Sequence, residues 1–314
     1  MKNIFCISFV ALLGMSVLTS CSDFLEAENK SAGSDSDSYF ATETGISEAR
    51  VQAYAELKNI ASNTDLTTRG TDLYITVRGK TTDDLDSYSH TSSNSDVTNY
   101  YEDCYAAINS ANFLVQVAGE GSLEEAEGKF LRDYVYYVLT QQFGAVPYFT
   151  HYISDSETSY PRVGLDEIYP ALIEELEDIY SNSSLPSTNY SGYVSKQAVA
   201  ALLAHLYLAE AWDVDTSLGS ETSGTYTINS TSNFSKAAQW AVSAINGISL
   251  SQSFEDKWLP SNEGNVEQIF TVQYDRANNP GSESDGGHAC RTISEATMAS
   301  VPRLVTRTLP LRVP

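Results

Sequence analysis

The residues best able to do chemistry in this chain are few and scattered. Its four histidines, His90, His151, His205 and His288, include no two at i, i+3 or i+4, the spacing that would put two imidazoles on one helix face for a metal. His205 falls inside an apolar helical pattern and reads as a core histidine rather than a ligand. The sequence contains no H-E-x-x-H, no phosphate-binding P-loop, no G-x-G-x-x-G and no G-x-S-x-G nucleophile elbow. With 41 carboxylates, an acid pair of the kind that cleaves glycosides can always be imagined, so acid pairs carry no information here. The stretch Gly281–Gly287 could hold a cation but lacks the ligand spacing of a Ca²⁺ loop and reads as a flexible turn. Cys104 lies in a helical pattern and reads as a small buried apolar residue, not a nucleophile. Cys104 and Cys290 make one possible pair, which is not a disulfide framework.

Cys21 is different, because its chemistry is set by what precedes it. The first twenty residues carry one charge, Lys2, and no acid. An apolar run from Ile4 to Leu18 follows, shorter than the ~20 residues a spanning helix needs, and reads as a secretory leader. Leu18-Thr19-Ser20-Cys21 resembles the lipobox of bacterial lipoproteins. There the cysteine takes a diacylglyceryl thioether, the chain is cut before it and the new amine is acylated. Small residues at 19 and 20 suit a peptidase that must approach the backbone; an ordinary cleavage site with an incidental cysteine is the alternative. Each buried CH₂ contributes ~0.8 kcal/mol, so several acyl chains on Cys21 would anchor the protein stably at a membrane.

The charge balance excludes a class. With 18 Lys+Arg against 41 Asp+Glu the net charge is −23, and no basic cluster exists to meet a phosphate backbone. Nucleic acid is not a partner, and electrostatic docking on an anionic membrane is equally disfavoured. Aromatics make up 11%, with 20 Tyr, too many for a disordered acidic tail.

The elements that must position any site are helical. Residues 1–20 are the leader, 21–42 a polar tether, 43–290 the folded domain and 291–314 an atypical tail. The tail holds four Arg and one Glu with no helix or strand period, and reads either as a genuine basic tail or as a frameshift or truncated gene model. Ile46, Ala49, Ala53, Leu57 and Ile60 predict a first helix. Residues 61–99 are Thr/Ser/Asp/Asn-rich apart from Leu73–Val77 and predict a long irregular excursion, of the sort that carries function. Helix signals resume at Tyr101. The next helix, 123–143, opens with a Ser122/Glu125 capping box and stops at Gly144, with Pro147 beyond. Lys129 and Arg132 are expected to pair within it with Glu125 and nearby acids. An i, i+3, i+4, i+7 stripe from Leu165 to Tyr180 follows, with Pro170 near its first turn and Glu174, Glu175, Glu177 and Asp178 as a solvated outer face. Ser195 opens a helix to about Asp213 that is apolar nearly all round and so should be central. A Ser/Thr/Gly loop covers 213–233, Phe234–Ile245 is helical, and 267–274 alternate like a strand with Phe270, Val272 and Tyr274 on one face. The fold class is mostly α: tetratricopeptide-like helical hairpins with long irregular loops and a minor β element.

Several blocks resemble, in order, those of the SusD/RagB family of outer-membrane nutrient-binding lipoproteins. They are the lipobox into Cys21-Ser22-Asp23-Phe24-Leu25-Glu26; Tyr101, Tyr105, Ile108 and Ala111-Asn112; Ala126–Arg132 ending in Gln142-Phe143-Gly144-Ala145-Val146-Pro147; Pro161-Arg162; Leu185-Pro186; Gly192–Lys196; and Ala198–Leu208. The F-G-x-V-P block is the most specific. Family members are usually longer, so the chain resembles an N-terminal portion, and Tyr101 stands where the family commonly has Trp.

The resemblance implies a non-catalytic lipoprotein on the exterior face of the outer membrane, anchored by lipid on Cys21. It would capture glycan, or in some relatives peptide, and pass it to a SusC-like TonB-dependent transporter; no cofactor is implied. Sugars stack their C–H faces on aromatic rings and hydrogen-bond at the rim. Within the polar excursion Arg78, Tyr88, Asn94 and Tyr100 are of the right kinds for that ligand surface, against the plainer reading of ordinary loop residues. Tyr105, Tyr134, Tyr136, Tyr137 and Tyr207 belong to helices and read as core. Two other classes stay open: a surface-anchored glycan hydrolase, and a helical scaffold that binds only protein.

Overall fold

Apolar residues spaced by three and four need a common partner surface, and in a computed structural model of the protein they find it in a stack of paired helices. The structure describes residues 36–72, 83–154, 160–189, 191–213, 227–228, 231–250, 253–254 and 267–273. Cys21, Arg78, Tyr274, Gly281–Gly287, Cys290, the leader and the basic tail lie outside them. The helices are α1 (Ser36–Phe40), α2 (Glu43–Ser62), α3 (Asp65–Thr68), α4 (Ser95–Val117), α5 (Leu123–Phe143), α6 (Leu165–Asn182), α7 (Lys196–Ala211) and α8 (Thr231–Ala244). Two short strands, β1 (Trp212–Asp213) and β2 (Thr227–Ile228), pair antiparallel with Trp212 opposite Ile228. The fold is therefore mostly α, and its two short strands lie at 212–213 and 227–228 rather than at 267–274 where a strand was expected.

Side-chain caps set where the long helices begin. Thr42, Asn94, Ser122 and Ser195 each accept from the first-turn N–H groups of α2, α4, α5 and α7, satisfying donors that have no partner within the helix. At α5 the Ser122 hydroxyl accepts from Glu125 N at 3.1 Å, and the Glu125 carboxylate accepts from Gly121 N at 2.6 Å. The box thus closes one residue earlier than the usual reciprocal pattern.

α5 lies at the centre, packed on α2, α4, α6 and α7, with α6–α7 and α7–α8 continuing the stack. Phe130, Leu131, Val135 and Leu139 are fully enclosed, each contributing roughly 1.5–3 kcal/mol. α7 is buried from Gln197 to Leu203, as its all-round apolar pattern predicts. Gly128 lets α4 and α5 approach closely: a Cβ there would stand 2.8 Å from Val115 Cγ2 and 3.1 Å from the Ala111 carbonyl.

The F-G-x-V-P block has a physical reading. Gly144 ends α5 with φ 69° and ψ −131°, a conformation glycine tolerates and other residues do not. Val146 then enters the core and bridges to Val163, and the Pro147 carbonyl accepts from Tyr105 Oη at 2.8 Å. Gly144→Ala is expected to lower stability by about 1–3 kcal/mol in a urea melt; an unchanged midpoint would show that the turn relaxes freely.

Several sequence expectations change. α1 lies inside the span read as tether, with Phe40 edge-on to Phe113 at 4.7 Å, so the folded part already includes it. α4 begins at Ser95, not 101, because Asn94 caps it. Residues 267–273 form no strand: they have no ladder partner among the described residues, and Gln268, Phe270, Thr271 and Val272 are all buried, which breaks the alternation. Phe270 packs edge-on against Phe130 at 5.3 Å. Pro170 stands in the second turn of α6, just past the first; it faces solvent, where water can take the carbonyl it leaves unpaired.

The acidic face of α6 divides. Glu174 and Asp178 are exposed, whereas Glu175 pairs with Arg132 and Glu177 accepts from Tyr207 Oη at 2.6 Å. Lys129 pairs with Glu125 at 2.6 Å as expected; Arg132 is buried, with Asp133 of its own helix 3.5 Å away, and its closer ion pair reaches across to Glu175 on α6.

Candidate functional site

The polar excursion is an ordered structure wherever it is described, and one arginine organises it. Arg69 Nε lies 3.1 Å from Asp65 Oδ1 and 3.4 Å from Asp83 Oδ2, and its Nη1 donates to Asp96 Oδ2 at 2.7 Å. These three carboxylates belong to α3, to the 83–90 turn and to the first turn of α4, so one guanidinium ties three segments together. Guanidinium geometry suits this, since its donors leave in a fixed planar fork.

The 83–90 turn closes on itself. Asp83 Oδ1 accepts from Leu85 N at 3.0 Å and Asp86 N at 3.3 Å, and its carbonyl accepts from Ser87 N at 2.9 Å. The Asp84 carbonyl accepts from Ser89 N and His90 N. Asx turns of this type supply backbone bonds that a loop without a ladder would otherwise lack.

Tyr88 stands on this turn with 76% of its surface exposed. Its φ of 56° makes it the one non-glycine residue with positive φ among the described residues, an arrangement that needs outside support. The support is visible: Tyr88 Oη donates to the Gly70 carbonyl, beside the arginine clamp. A large ring, exposed and fixed at its far end, loses little freedom when a ligand stacks on it.

The other sequence candidates separate. Asn94 adjoins the turn, but its amide oxygen accepts from Asp96 N at 2.9 Å and Val97 N at 3.2 Å, so it caps α4. Tyr100 is only 2% exposed and packs near-parallel to Phe143, which places it in the core instead of on a ligand surface. Its i, i+4 relation to Cys104 on the inner face of α4 is the reason. Arg78 lies outside the described residues. Tyr88 and Asn94 thus share one end of α4, and Arg69, which the sequence reading passed over, joins them. Only one of its three contacts was legible in the sequence, the i, i+4 spacing from Asp65.

Further along α4, the segment after α5 is strapped down by polar side chains. Tyr136 Oη accepts from Phe149 N at 2.8 Å, and Asn112 Nδ2 donates to the carbonyls of Phe149 and His151. Asn109 holds Ile153 at both its N–H and its carbonyl. Cys104 is enclosed, with burial pushing its thiol up to about 12, so it is no nucleophile. His205 is half-buried with its ring 6.0 Å from that of Tyr137. No group of three His, Cys, Asp or Glu side chains placed to hold a metal occurs among the described residues.

Comparison with known proteins gives this geometry a family. A family model described as starch-binding and associating with the outer membrane, of the SusD-like type, matches residues 23–208. A SusD-like protein P2 from Formosa agariphila is 25% identical over 295 residues, covering 85% of this chain and 52% of its own. Among solved structures, a SusD superfamily protein from Parabacteroides distasonis superposes with a TM-score of 0.59 at 23% identity, over 74% of this chain and 51% of that one. Another, solved with a xylogluco-oligosaccharide, gives 0.60 at 18% identity over 73% and 46%. The chain spans about half the length of these relatives. Matched over more than half its residues and built on the same helical stack, the chain belongs to the SusD-like, SusD/RagB family.

Proposed function

We propose that this chain captures glycan at the cell surface without cleaving it and serves a SusC-like TonB-dependent transporter in the outer membrane. Lipid on Cys21 would hold it to the exterior face. The observation that carries the reading is Tyr88: an exposed aromatic ring on a turn fixed by Arg69 and by its own hydroxyl. Sugar C–H faces stack on such rings, and amides, carboxylates and Arg at the rim take the hydroxyls. Arg78, which belongs to the same excursion in sequence, and Asn94 are proposed as further ligand-binding residues. A net charge of −23 favours a neutral glycan over an acidic one.

The test is affinity electrophoresis of the chain from Ser22 onward in soluble starch, xyloglucan, laminarin and other polysaccharides, with released sugar assayed in the same samples. Retardation by one glycan without released sugar is the expected result; release of sugar would move the protein to the hydrolases. Tyr88→Ala should weaken retardation about tenfold, the scale of a lost aromatic anchor. Arg69→Ala should weaken it comparably while Tyr88 itself is untouched, because the turn loses its clamp. Wild-type retardation in both variants would remove this face from the binding surface.

A further inference from the structure

At the far end of α4 from Tyr88 lies an open cleft of about 410 Å³ between α1, α2, α4 and the strap after α5. Its apolar side is a row of rings: Phe40 edge-on to Phe113 at 4.7 Å, and Phe113 against Tyr152 at 4.9 Å. Its polar side is Glu48 and Gln52 from α2 and Ser110 from α4.

The row is built to stay in place. Tyr152 is flanked by backbone bonds on both sides: Asn112 Nδ2 to the His151 carbonyl at 3.0 Å, and Asn109 to Ile153 N at 2.8 Å and Ile153 O at 3.1 Å. These bonds hold a half-buried ring over a cleft whose rim carries both donors and acceptors. Ring-lined concavities of this size with a few polar groups are the usual form of a small-ligand site. A cation would meet acceptors alone in a site made for it, whereas here the Ser110 hydroxyl and the second N–H of the Gln52 amide, whose first donates to Glu56, can also donate. An anion would meet Glu48 and no Lys or Arg among the lining residues. A neutral polyol with one apolar face fits both sides.

We propose that this cleft is a second saccharide subsite, taking one or two sugar units of the chain captured at Tyr88; it rests on the glycan-capture reading. Asn94 and Phe113 are nineteen residues apart on α4, so at 1.5 Å per residue the two regions are ~28 Å apart along the helix. A long glycan can engage both, and a short oligosaccharide only one. Two linked weak contacts act with a raised effective concentration, so polymer is held far more tightly than fragments.

The experiment compares parent, Tyr152→Ala, Gln52→Leu and Tyr88→Ala in affinity gels of starch, xyloglucan and laminarin, and in calorimetric titrations with di- and trisaccharides of the retarding glycan. Circular dichroism melts serve as a control on folding. Tyr152→Ala and Gln52→Leu should each weaken polymer retention at least fivefold and leave the Tyr88-dependent affinity for short fragments within twofold of the parent. Gln52→Leu keeps a good helix former on an exposed face, so its result stands even if Tyr152→Ala melts early. Polymer retention equal to the parent in both cleft variants, with Tyr88→Ala impaired, overturns the second subsite and leaves glycan capture intact. No retention of the parent by any polysaccharide overturns both.

Discussion

Arg132→Met is expected to lower the unfolding free energy by about 3–5 kcal/mol, the scale for removing one member of a buried ion pair. The Arg132 side chain is 2% exposed, yet it is bonded to three elements. Its Nη1 donates to Asn112 Oδ1 on α4 at 2.9 Å and to the Thr150 carbonyl in the strap at 3.2 Å, and its Nη2 donates to the Glu175 carboxylate on α6. Methionine fills the volume and leaves all these acceptors without their donor. Adding Glu175→Leu should recover part of the loss, because an apolar pair replaces an ionic one instead of orphaning half of it.

Asp133, beside it, makes the prediction sharper. It is wholly enclosed, and neither carboxyl oxygen has a hydrogen-bond partner among the described residues. Arg132 Nε stands 3.5 Å from one of them, too far to replace water. Burial first, and then the charge of Glu175, push the Asp133 carboxyl well above its ordinary value of 3.8, against the pull of Arg132. The folded chain therefore keeps a proton that the unfolded chain releases, so this residue makes stability fall as pH rises above about 4. Asp133→Asn removes that slope and should stabilise the protein at pH 7 relative to pH 5, compared with the parent. Urea titrations at both pH values read the two effects. A parent-like midpoint in Arg132→Met, or a parent-like pH slope in Asp133→Asn, would contradict this account of the cluster.

What the sequence made legible were features written in one element. The stripes of α2, α5, α6 and α7, the caps at Ser122 and Ser195, the stop at Gly144 and the Lys129–Glu125 pair all depend on spacing within a helix, and all stand. The losses came where a side chain answers to a second element. Arg132 and Glu175 look like surface charges on their own helices and meet only after α5 and α6 pack. Tyr100 directly follows the polar excursion and looks like loop, but the cap at Asn94 had already begun a helix that turns it inward. The 267–273 segment has strand-like residues and no partner to ladder with among the described residues. At the candidate site, Tyr88 was recognisable as a ring in a polar stretch. Its clamp was not, since Arg69 reaches Asp83 and Asp96 across a fold that spacing alone does not reveal.

Arg50→Ala should cost about 3 kcal/mol, the lower end of the range for a buried pair, because the arginine is partly open to water. Glu127, on α5, has a side chain only 1% exposed, and Arg50 from α2 grips both of its oxygens, with Nη2 to Oε1 at 2.7 Å. The guanidinium also lies 4.2 Å from the Tyr193 ring centre, and Tyr193 packs edge-on against Tyr54. Tyr54 Oη in turn accepts from Val194 N at 3.0 Å. Two helices and the segment leading into α7 are thus joined at one charge pair. Burial pushes Glu127 above its ordinary 4.5 even with Arg50 in place. Without Arg50 the hydrogen bond and the charge by which it pulls the carboxyl down are gone, and the carboxyl rises further. The unfolded chain has no such shift, so the gap between Arg50→Ala and parent should widen as pH rises from 5 to 8 and narrow toward pH 4. Arg50→Lys should fall between them, since one ammonium keeps the charge but neither the two-point grip nor the flat stacking on Tyr193. Guanidinium unfolding of the three proteins across that range decides it: a loss independent of pH would mean that Arg50 acts through its packing on Tyr193 alone, and that Glu127 is held by something other than this charge.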